Sequence, residues 1–291
     1  MTVIKQLFLS AGMALLPVAL AQAAPGVAGK PLRVVIDPGH GGADYGTVYQ
    51  DRTGRVAEKD ITLRIAIRVA RHLKSMGIST VLTRSQDVEV SLQQRTALAN
   101  RVQADVFLSI HMNSTPQPDA PEAEGVETFI LNNTTDESSK RLAHFENMVL
   151  GPSSEMPKEL AENTDVALIL KDLRLDANLS ESKRLACGIQ ETLVRATSRL
   201  SLAPTAKKAG VVVRPRDRGV KQALFYVLLG ADMPSALLEA GFLNNTRDRR
   251  IVTSPEGREL MGAAIARAIA QHLKLRGTPA ATTSLGRCKV I

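Results

Sequence analysis

Apolar residues between positions 32 and 114 form short continuous runs that alternate with a helically spaced stripe. The runs Leu32 to Ile36 and Val106 to Ile110 are closed by turn or polar residues, which predicts buried strands. Between them, a stripe with a spacing of four predicts a helix from Glu58 to Met76 that Gly77 ends. The stripe consists of Ile61, Ile65 and Val69.

The alternation continues with a β-branched stretch and a second helix. Residues 77–83 predict a strand, and Ser91 to Val102 predicts a helix with Ser91 as its N-cap. Strands that alternate with helices favour a largely parallel sheet covered by helices. Three polar residues beside these elements predict a network that braces a loop against a helix: Arg84, Asp87 and Arg95.

Residues 132–204 interrupt this order. They follow a strand predicted over 125–131, and their helical patterning indicates an insertion that forms an extra layer or a lid near a site. Three helices are predicted inside it: 138–150, 164–173 and 180–200. Three further strands are predicted after it: 211–213, 224–229 and 235–238. A closing helix then runs from Ser254 to Leu273, and residues 277–291 are predicted to be a disordered tail.

Two histidines and a glutamate stand at or near the carboxyl ends of predicted strands. His40 follows the first strand in a rigid loop of proline and glycines, His111 follows Ile110, and Glu239 follows residues 235–238. Because ligands of open α/β sheets gather at the carboxyl ends of the strands, we expect His40 and His111 to converge. His40 alone also fits a loop histidine that caps a carbonyl, and Glu58, which begins its helix, is favoured there by the macrodipole.

The amino terminus has the pattern of a secretory signal peptide. Lys5 precedes an apolar run from Leu7 to Leu20, and a small-x-small cleavage pattern ends at Ala23. A membrane anchor is the alternative, but the run falls short of the roughly 20 residues that span a bilayer. We therefore expect a signal peptide over 1–23, a short linker over 24–31 and one catalytic domain over 32–276 in an exported protein without stable membrane insertion.

Charge and cysteine content refine this picture. The 37 basic and 29 acidic residues leave a net charge of +8, or +7 once Lys5 is removed, which suggests an anionic partner. Nucleic acid is disfavoured because the basic residues are scattered, aromatic residues make up 3% and tryptophan is absent. A carboxylate-bearing cell-wall polymer fits an exported protein better. A disulfide between Cys187 and Cys288 is permitted by the compartment but is not required by the pattern.

The candidate residues match the needs of a catalytic zinc site. Such a site uses three protein ligands of the histidine and carboxylate type and leaves a position for water, and His40, Glu58 and His111 meet that count. Zinc lowers the pKa of bound water toward about 7, and a separate carboxylate, Glu239, would accept the water's proton. These residues predict metal-dependent hydrolysis of an amide.

Four motifs in order resemble the zinc-dependent N-acetylmuramoyl-L-alanine amidases of the type 3 amidase family: VVIDPGHGG, AEKD, SIHMNS and LLEAGFLNN. The resemblance covers residues 32–275. It implies a single α/β domain with a mixed, mostly parallel six-stranded sheet, and cleavage of the amide between the lactyl group of N-acetylmuramic acid and L-alanine of the stem peptide. It also implies one zinc ion per chain, held by His40, Glu58 and His111, with Glu239 as the catalytic glutamate.

Residues 132–204 resemble the insertion of periplasmic, division-associated family members. In those enzymes a helix blocks the groove with a glutamate until an activator protein moves it, which implies Glu146 as a regulatory residue here. Glu162 matches almost as well, and His144 competes as a ligand, although a surface position fits His144 better. An additional amino-terminal targeting domain, found in that group, is not expected.

Two other functions remain open at this point. A zinc carboxypeptidase that trims stem peptides would use the same kind of metal centre. A wall-binding module that has lost its chemistry would keep the fold, but the intact set of three ligands and Glu239 argues against it.

Overall fold

The computed structural model describes residues 31–52, 54–115, 123–148, 164–198, 200–202, 211–212 and 215–275, together with 288 and 290. For 164–177, 201–202 and 211–212 it describes the backbone alone. The predicted signal peptide and nearly all of the predicted linker therefore lie outside the described residues. None of the helices in the described ranges has the length and apolar character needed to cross a bilayer.

Ten strands and seven helices are found in the described ranges. The strands are β1 (Arg33–Pro38), β2 (Val48–Asp51), β3 (Gly54–Ala57), β4 (Ser79–Leu82), β5 (Val106–Asn113), β6 (Val126–Leu131), β7 (Ser201–Leu202), β8 (Val211–Val212), β9 (Asp217–Ala223) and β10 (Ser235–Phe242). The helices are α1 (Glu58–Ser75), α2 (Leu92–Arg101), α3 (Glu137–Asn147), α4 (Thr164–Thr197), α5 (Tyr226–Leu229), α6 (Thr246–Thr253) and α7 (Pro255–Leu275). The predicted N-cap of α2 is confirmed, because the Ser91 side chain accepts from the Gln94 amide in a capping box.

Six strands form one mixed sheet in the order β4-β1-β5-β10-β6-β9. The first four strands of this order run parallel to one another, whereas β6 pairs antiparallel with β10 and parallel with β9. This arrangement confirms the largely parallel sheet that the alternation of strands and helices predicts, and the mixed six-stranded sheet that the family resemblance implies. Strands β5 and β10 extend past their predicted ends, so His111 and Glu239 lie within strands.

Both faces of the sheet are covered, which explains why its central strands are apolar without alternation. On one face Val34, Leu108 and Leu238 pack against α1, α4 and α7 in a large core. On the other face Phe107 and Leu237 belong to a smaller core with residues of α2, α3 and α5. Side-chain direction alternates along a strand, so residues two apart from these share their face.

Two sequence predictions after residue 160 are wrong, and one strand was missed. The helices predicted over 164–173 and 180–200 are one helix, α4, because no helix-breaking residue separates them. Residues 224–229 do not form a strand; they contain the short helix α5. The neighbouring strand is β9, whose sequence DRGVKQA escapes an apolar search because it lies at the edge of the sheet and is only partly buried.

Two small antiparallel strand pairs were not predicted, and one predicted strand lies outside the main sheet. Strands β2 and β3 form a hairpin directly before α1. Strand β8, which we predicted to return to the main sheet, pairs with β7 in a separate two-stranded sheet.

A disulfide connects the insertion with the end of the chain. Cys187 in α4 is bonded to Cys288 across a separation of 101 residues, and Val290 forms a bridge with Val220 of β9. Within the range predicted to be a disordered tail, these two described residues are thus attached to the domain.

Candidate metal centre and active site

Three of the predicted site residues come from three separate elements and meet at one point. His40 lies in the loop after β1, Glu58 is the first residue of α1, and His111 lies in β5. All three are buried, with exposed fractions of 3%, 0% and 5%. The prediction that His40 and His111 converge is therefore confirmed by the geometry.

The polar atoms of these residues face one another. His40 Nε2 lies 3.1 Å from Glu58 Oε1, and His111 Nδ1 lies 3.2 Å from the same oxygen. The two imidazole rings are edge-on with centroids 4.9 Å apart. Among the described residues, His40 Nε2 and His111 Nδ1 have no hydrogen-bond partner of acceptable geometry although both are buried. Buried nitrogen atoms without partners need another ligand to offset their desolvation.

Neighbouring groups fix the orientation of each ligand. His40 Nδ1 lies 2.7 Å from Asp44 Oδ2, a bond that leaves Nε2 facing the centre. The Glu58 carboxylate accepts from the Thr47 amide at 2.8 Å and from the Met112 amide at 2.7 Å. The carboxylate is thereby held from both sides before any ion arrives.

Two glycines allow the backbone to pack against the ligands. A Cβ at Gly39 would lie 2.5 to 2.8 Å from atoms of the His111 ring. A Cβ at Gly46, which has φ +59, would lie 2.5 Å from His40 Cδ2 and 2.6 Å from Glu58 Oε2. The DPGHGG loop and its continuation to Gly46 thus need small residues where the chain approaches the imidazole rings.

A fourth side chain enters the cluster from the insertion. Glu146 of α3 places Oε2 2.8 Å from His111 Nδ1 and 3.2 Å from His40 Nε2, and it is 4% exposed. One ligand atom from each of the four residues lies within 4.8 Å of the others. His144 is exposed on the same helix, and Glu162 lies outside the described residues.

The composition of this cluster fits a zinc ion. Two imidazole nitrogens and carboxylate oxygens are the ligand types of catalytic zinc sites, and these residues would hold such an ion. Glu146 adds a carboxylate oxygen to the three residues predicted as ligands. The buried nitrogen atoms without hydrogen-bond partners are the direct observation behind this fit.

The electrostatics of the cluster favour positive charge at its centre. Burial opposes protonation of His40, but the Glu58 and Glu146 carboxylates raise its pKa well above the usual range. Burial also opposes protonation of His111, and Glu146 and Glu58 nevertheless raise its pKa to about 10. Burial raises the pKa of Glu58, but His40 and His111 together bring that pKa far below its usual value.

Glu239 lies on the strand next to His111. The two residues are paired in the parallel ladder of β10 and β5, and Glu239 shares the sheet face of Leu237. Both of its oxygens are buried without a hydrogen-bond partner among the described residues. Burial, and then the neighbouring Glu146 carboxylate, raise the pKa of Glu239 well above its usual range.

The sequence analysis missed two residues of this region. Asp44, which holds His40, follows it by four positions, and a carboxylate so close to a loop histidine was an available signal. Glu127 is the cross-strand partner of Glu239 and forms ion pairs with Arg218 at 3.1 Å and Lys221 at 2.5 Å. No local motif marks Glu127, because its role depends on the antiparallel pairing of β6 with β10.

Comparisons with known proteins identify the family of the chain. The family model described as Amidase_3, N-acetylmuramoyl-L-alanine amidase, matches residues 34–271. The amidase AmiA of Escherichia coli (strain K12) is 31% identical over 243 residues, which cover 82% of this chain and 75% of that protein. The amidase AmiC of Neisseria meningitidis serogroup B is 29% identical over 243 residues, which cover 82% of this chain and 52% of that protein. The chain thus spans about half the length of the Neisseria relative.

A solved structure shares the fold. The N-acetylmuramoyl-L-alanine amidase from Clostridium difficile 630 superposes with a TM-score of 0.60 at 27% sequence identity. The match covers 85% of this chain and 99% of that chain. The mixed sheet and its covering helices are therefore those of an amidase catalytic domain.

Proposed function

The chain belongs to the N-acetylmuramoyl-L-alanine amidase family Amidase_3, a family of cell-wall hydrolases, and on that premise we propose that it cleaves peptidoglycan. The bond hydrolysed is the amide between the lactyl group of N-acetylmuramic acid and L-alanine of the stem peptide. The observation that carries the proposal is the buried convergence of His40, Glu58 and His111 beside Glu239.

His40, Glu58 and His111 are the proposed ligands of one zinc ion. The bond to Asp44 directs His40 Nε2 toward the ion, and the two backbone amides on Glu58 hold its carboxylate in place. When bound, zinc lowers the pKa of a water molecule and polarises the substrate carbonyl. A divalent cation would take the place of the protons that this buried cluster binds. It would also satisfy His40 Nε2 and His111 Nδ1, which lack a hydrogen-bond partner among the described residues.

Glu239 is the proposed general base. Its carboxylate accepts a proton as the water oxygen bonds to the carbonyl carbon, and it then gives that proton to the nitrogen of the departing L-alanine as the C–N bond breaks. Its position beside His111 supports this role, because the strand pairing fixes the carboxylate next to the ligand cluster. The surrounding sheet excludes bulk water from both oxygens.

Glu146 is the proposed inhibitory ligand. Its Oε2 lies 2.8 Å from His111 Nδ1 and 3.2 Å from His40 Nε2, which supports a role in which it blocks the position of water and substrate while α3 stays in place. Moving α3 away would open that position and would remove a negative charge that raises the pKa of Glu239. An activator protein that displaces α3 is the proposed partner, and the periplasm is the proposed location.

Product analysis of purified peptidoglycan tests the activity. We expect mass spectrometry to find intact stem peptides and unsubstituted glycan strands after incubation with the protein, and we expect a zinc chelator to prevent their release. A variant that lacks Glu146 should be included, so that closure of the site does not mask the activity. Loss of terminal residues from otherwise attached peptides would indicate a carboxypeptidase, and unchanged material would indicate a binding module.

A further inference from the structure

Two buried arginines bind the backbone of the loop that carries His40. Arg84 donates through Nε to the Pro38 carbonyl at 3.0 Å and through Nη2 to the Gly39 carbonyl at 2.7 Å. Arg95 donates through Nη1 to the Pro38 carbonyl at 2.8 Å and through Nη2 to the His40 carbonyl at 3.0 Å. Three successive carbonyl oxygens, up to and including that of a proposed ligand, are therefore held by two guanidinium groups.

The backbone at His40 needs such support. His40 has φ 59, in the left-handed region that residues with a side chain rarely adopt, and it is one of two described non-glycine residues with positive φ. A residue keeps such a conformation only where its surroundings fix it. The carbonyl bonds from Arg84 and Arg95 fix the peptide planes directly before and after His40.

The same arginines also reach the elements that carry the other two ligands. Arg84 Nη2 donates to the Lys59 carbonyl at 2.8 Å, directly after Glu58 in α1. Arg95 Nη1 donates to the Asp37 carboxylate at 2.7 Å, which also accepts from Ser109 at 2.7 Å. Ser109 precedes His111 by two residues on the same strand and the same sheet face.

We propose that Arg84 and Arg95 are positioning residues that preform the metal site by fixing the His40 loop relative to Glu58 and His111. This inference rests on the proposed zinc site and adds two residues that touch neither the ion nor the substrate. A planar guanidinium with several donors in fixed directions suits the task, because a lysine ammonium cannot bind these carbonyls in the same geometry.

A general structural role is the competing explanation, and the chain offers a matched control for it. Arg258 is also a buried arginine, and its described hydrogen bonds go to the Val252 and Thr253 carbonyls at the junction of α6 and α7. The variant Arg258→Lys therefore removes a comparable guanidinium from backbone carbonyls that lie outside the ligand-bearing loop, helix and strand.

The test measures zinc affinity, stability and loop exchange for Arg84→Lys, Arg95→Lys and Arg258→Lys. Zinc affinity is measured by competition with a chromogenic chelator, and thermal unfolding of the metal-free proteins gives the stability. We expect each of the first two variants to bind zinc about 10- to 100-fold more weakly, as found for residues that orient metal ligands. Arg258→Lys should bind zinc like the unaltered protein.

Hydrogen exchange of the metal-free proteins gives a readout that needs no ion. The Gly39 amide donates to the Ile110 carbonyl and the Gly41 amide donates to the Asp44 carbonyl, both at 2.9 Å. These amides should exchange faster in Arg84→Lys and Arg95→Lys than in Arg258→Lys. If a lysine variant does not fold, Thr62→Val replaces it, since that change removes a hydroxyl that accepts from Arg84 Nη2 at 3.2 Å and donates to the Gly39 carbonyl at 3.0 Å.

The outcomes separate this inference from the proposed function. Unchanged zinc affinity and unchanged exchange in both lysine variants would overturn the positioning role. Equal losses of affinity in all three variants, in proportion to lost stability, would overturn it as well. Failure of the unaltered protein to bind zinc would instead contradict the proposed metal site, while faster loop exchange would still support the positioning of the loop.

Discussion

The proposed ligands and Glu146 meet at one point, but they belong to regions that are held very differently. The first region comprises the loop, helix and strand that carry His40, Glu58 and His111, and hydrogen bonds that involve the backbone hold each of them. Arg84 and Arg95 bind the His40 loop, the amides of Thr47 and Met112 bind the Glu58 carboxylate, and the β5 ladder holds His111. Among the described residues, helix α3 has fewer attachments. Apart from the contacts of Glu146 with His40 and His111, its tertiary hydrogen bonds are those of Asn147 with the Leu224 carbonyl at 2.8 Å and the Tyr226 amide at 2.9 Å.

The exposure of side chains shows the same difference. Core residues surround the three ligands, whereas Phe145 and Met148 of the α3 region are 46% and 63% exposed. A helix with few buried apolar contacts opens at lower free energy than the central strands. We therefore propose that His40, Glu58 and His111 form a permanent base of zinc ligands, and that Glu146 can be withdrawn without unfolding the domain.

Replacing His111 is expected to have the largest effect, because it removes a ligand from the permanent base. His111→Ala should reduce zinc content of the purified protein to background and abolish hydrolysis, as elemental analysis and product release will measure. His72→Ala is the matched control, since His72 pairs with Glu259 away from the cluster. Full zinc content in His111→Ala would contradict the assignment of His111 as a zinc ligand.

Replacing Glu239 tests whether zinc binding by His40, Glu58 and His111 is separate from proton transfer by Glu239. Glu239→Gln should keep zinc and lose about 10²- to 10⁴-fold in kcat, the usual contribution of a positioned acid or base. The measurement is the rate of stem-peptide release at saturating peptidoglycan, with zinc content determined on the same sample. Activity near that of the parent would exclude Glu239 as the general base.

The positions of the three proposed ligands and of Glu239 were largely predictable from sequence, because short local patterns place them. His40, His111 and Glu239 follow or end continuous apolar runs, and Glu58 begins a helix with a clear stripe, so the topology of parallel strands brings them to one edge. The motif resemblance assigned their roles, while the strand and helix patterns placed them. Asp44 was missed as the partner of His40 although it follows His40 by only four positions.

Helix α3 and its surroundings were predicted less well, because their structure depends on contacts between residues that are far apart in sequence. Glu146 was selected over Glu162 only by resemblance, and no periodicity shows that α3 covers the sheet edge. The strand β9 beside α3 was missed, since its polar alternation reflects an edge position that only the sheet order reveals. The joining of Cys187 with Cys288 was equally invisible, because pairing depends on distance in space.

The structure also divides the predicted insertion into two unequal parts. Residues Leu185, Ile189 and Leu193 of α4 are fully buried in the main core, so α4 is required for the fold. Helix α3 buries Ser139, Ala143 and Glu146 and exposes much of the rest. A deletion of the whole range 132–204 would therefore open the core, whereas a change confined to α3 would leave the buried residues of α4 in place.

Replacing Glu146 should open the site while leaving the base intact. Glu146→Ala is expected to raise the rate without activator, by about tenfold for each 1.4 kcal/mol with which the carboxylate stabilises the closed arrangement. Glu137→Ala is the matched control, because Glu137 is an exposed carboxylate in the first turn of the same helix. The measurement is product release under identical zinc loading, and a rate equal to that of the parent would remove Glu146 as the inhibitory group.

Removing the disulfide is expected to have the smallest effect on activity. This result would distinguish the structural role of α4 from the regulatory role proposed for α3. The bond closes a loop between residues 101 apart and so stabilises the fold by restricting the unfolded chain, by about 4 to 5 kcal/mol at most for a loop of this order. A variant with Cys187→Ser and Cys288→Ser should unfold at lower denaturant concentration, yet its rate without activator should match that of the parent while it is folded. The bond joins α4 to the chain end and has no member in α3, so it stabilises the region that stays in place. A clear rise in that rate would mean that α4 also takes part in closing the site, and the division between a permanent base and a single withdrawable helix would be wrong.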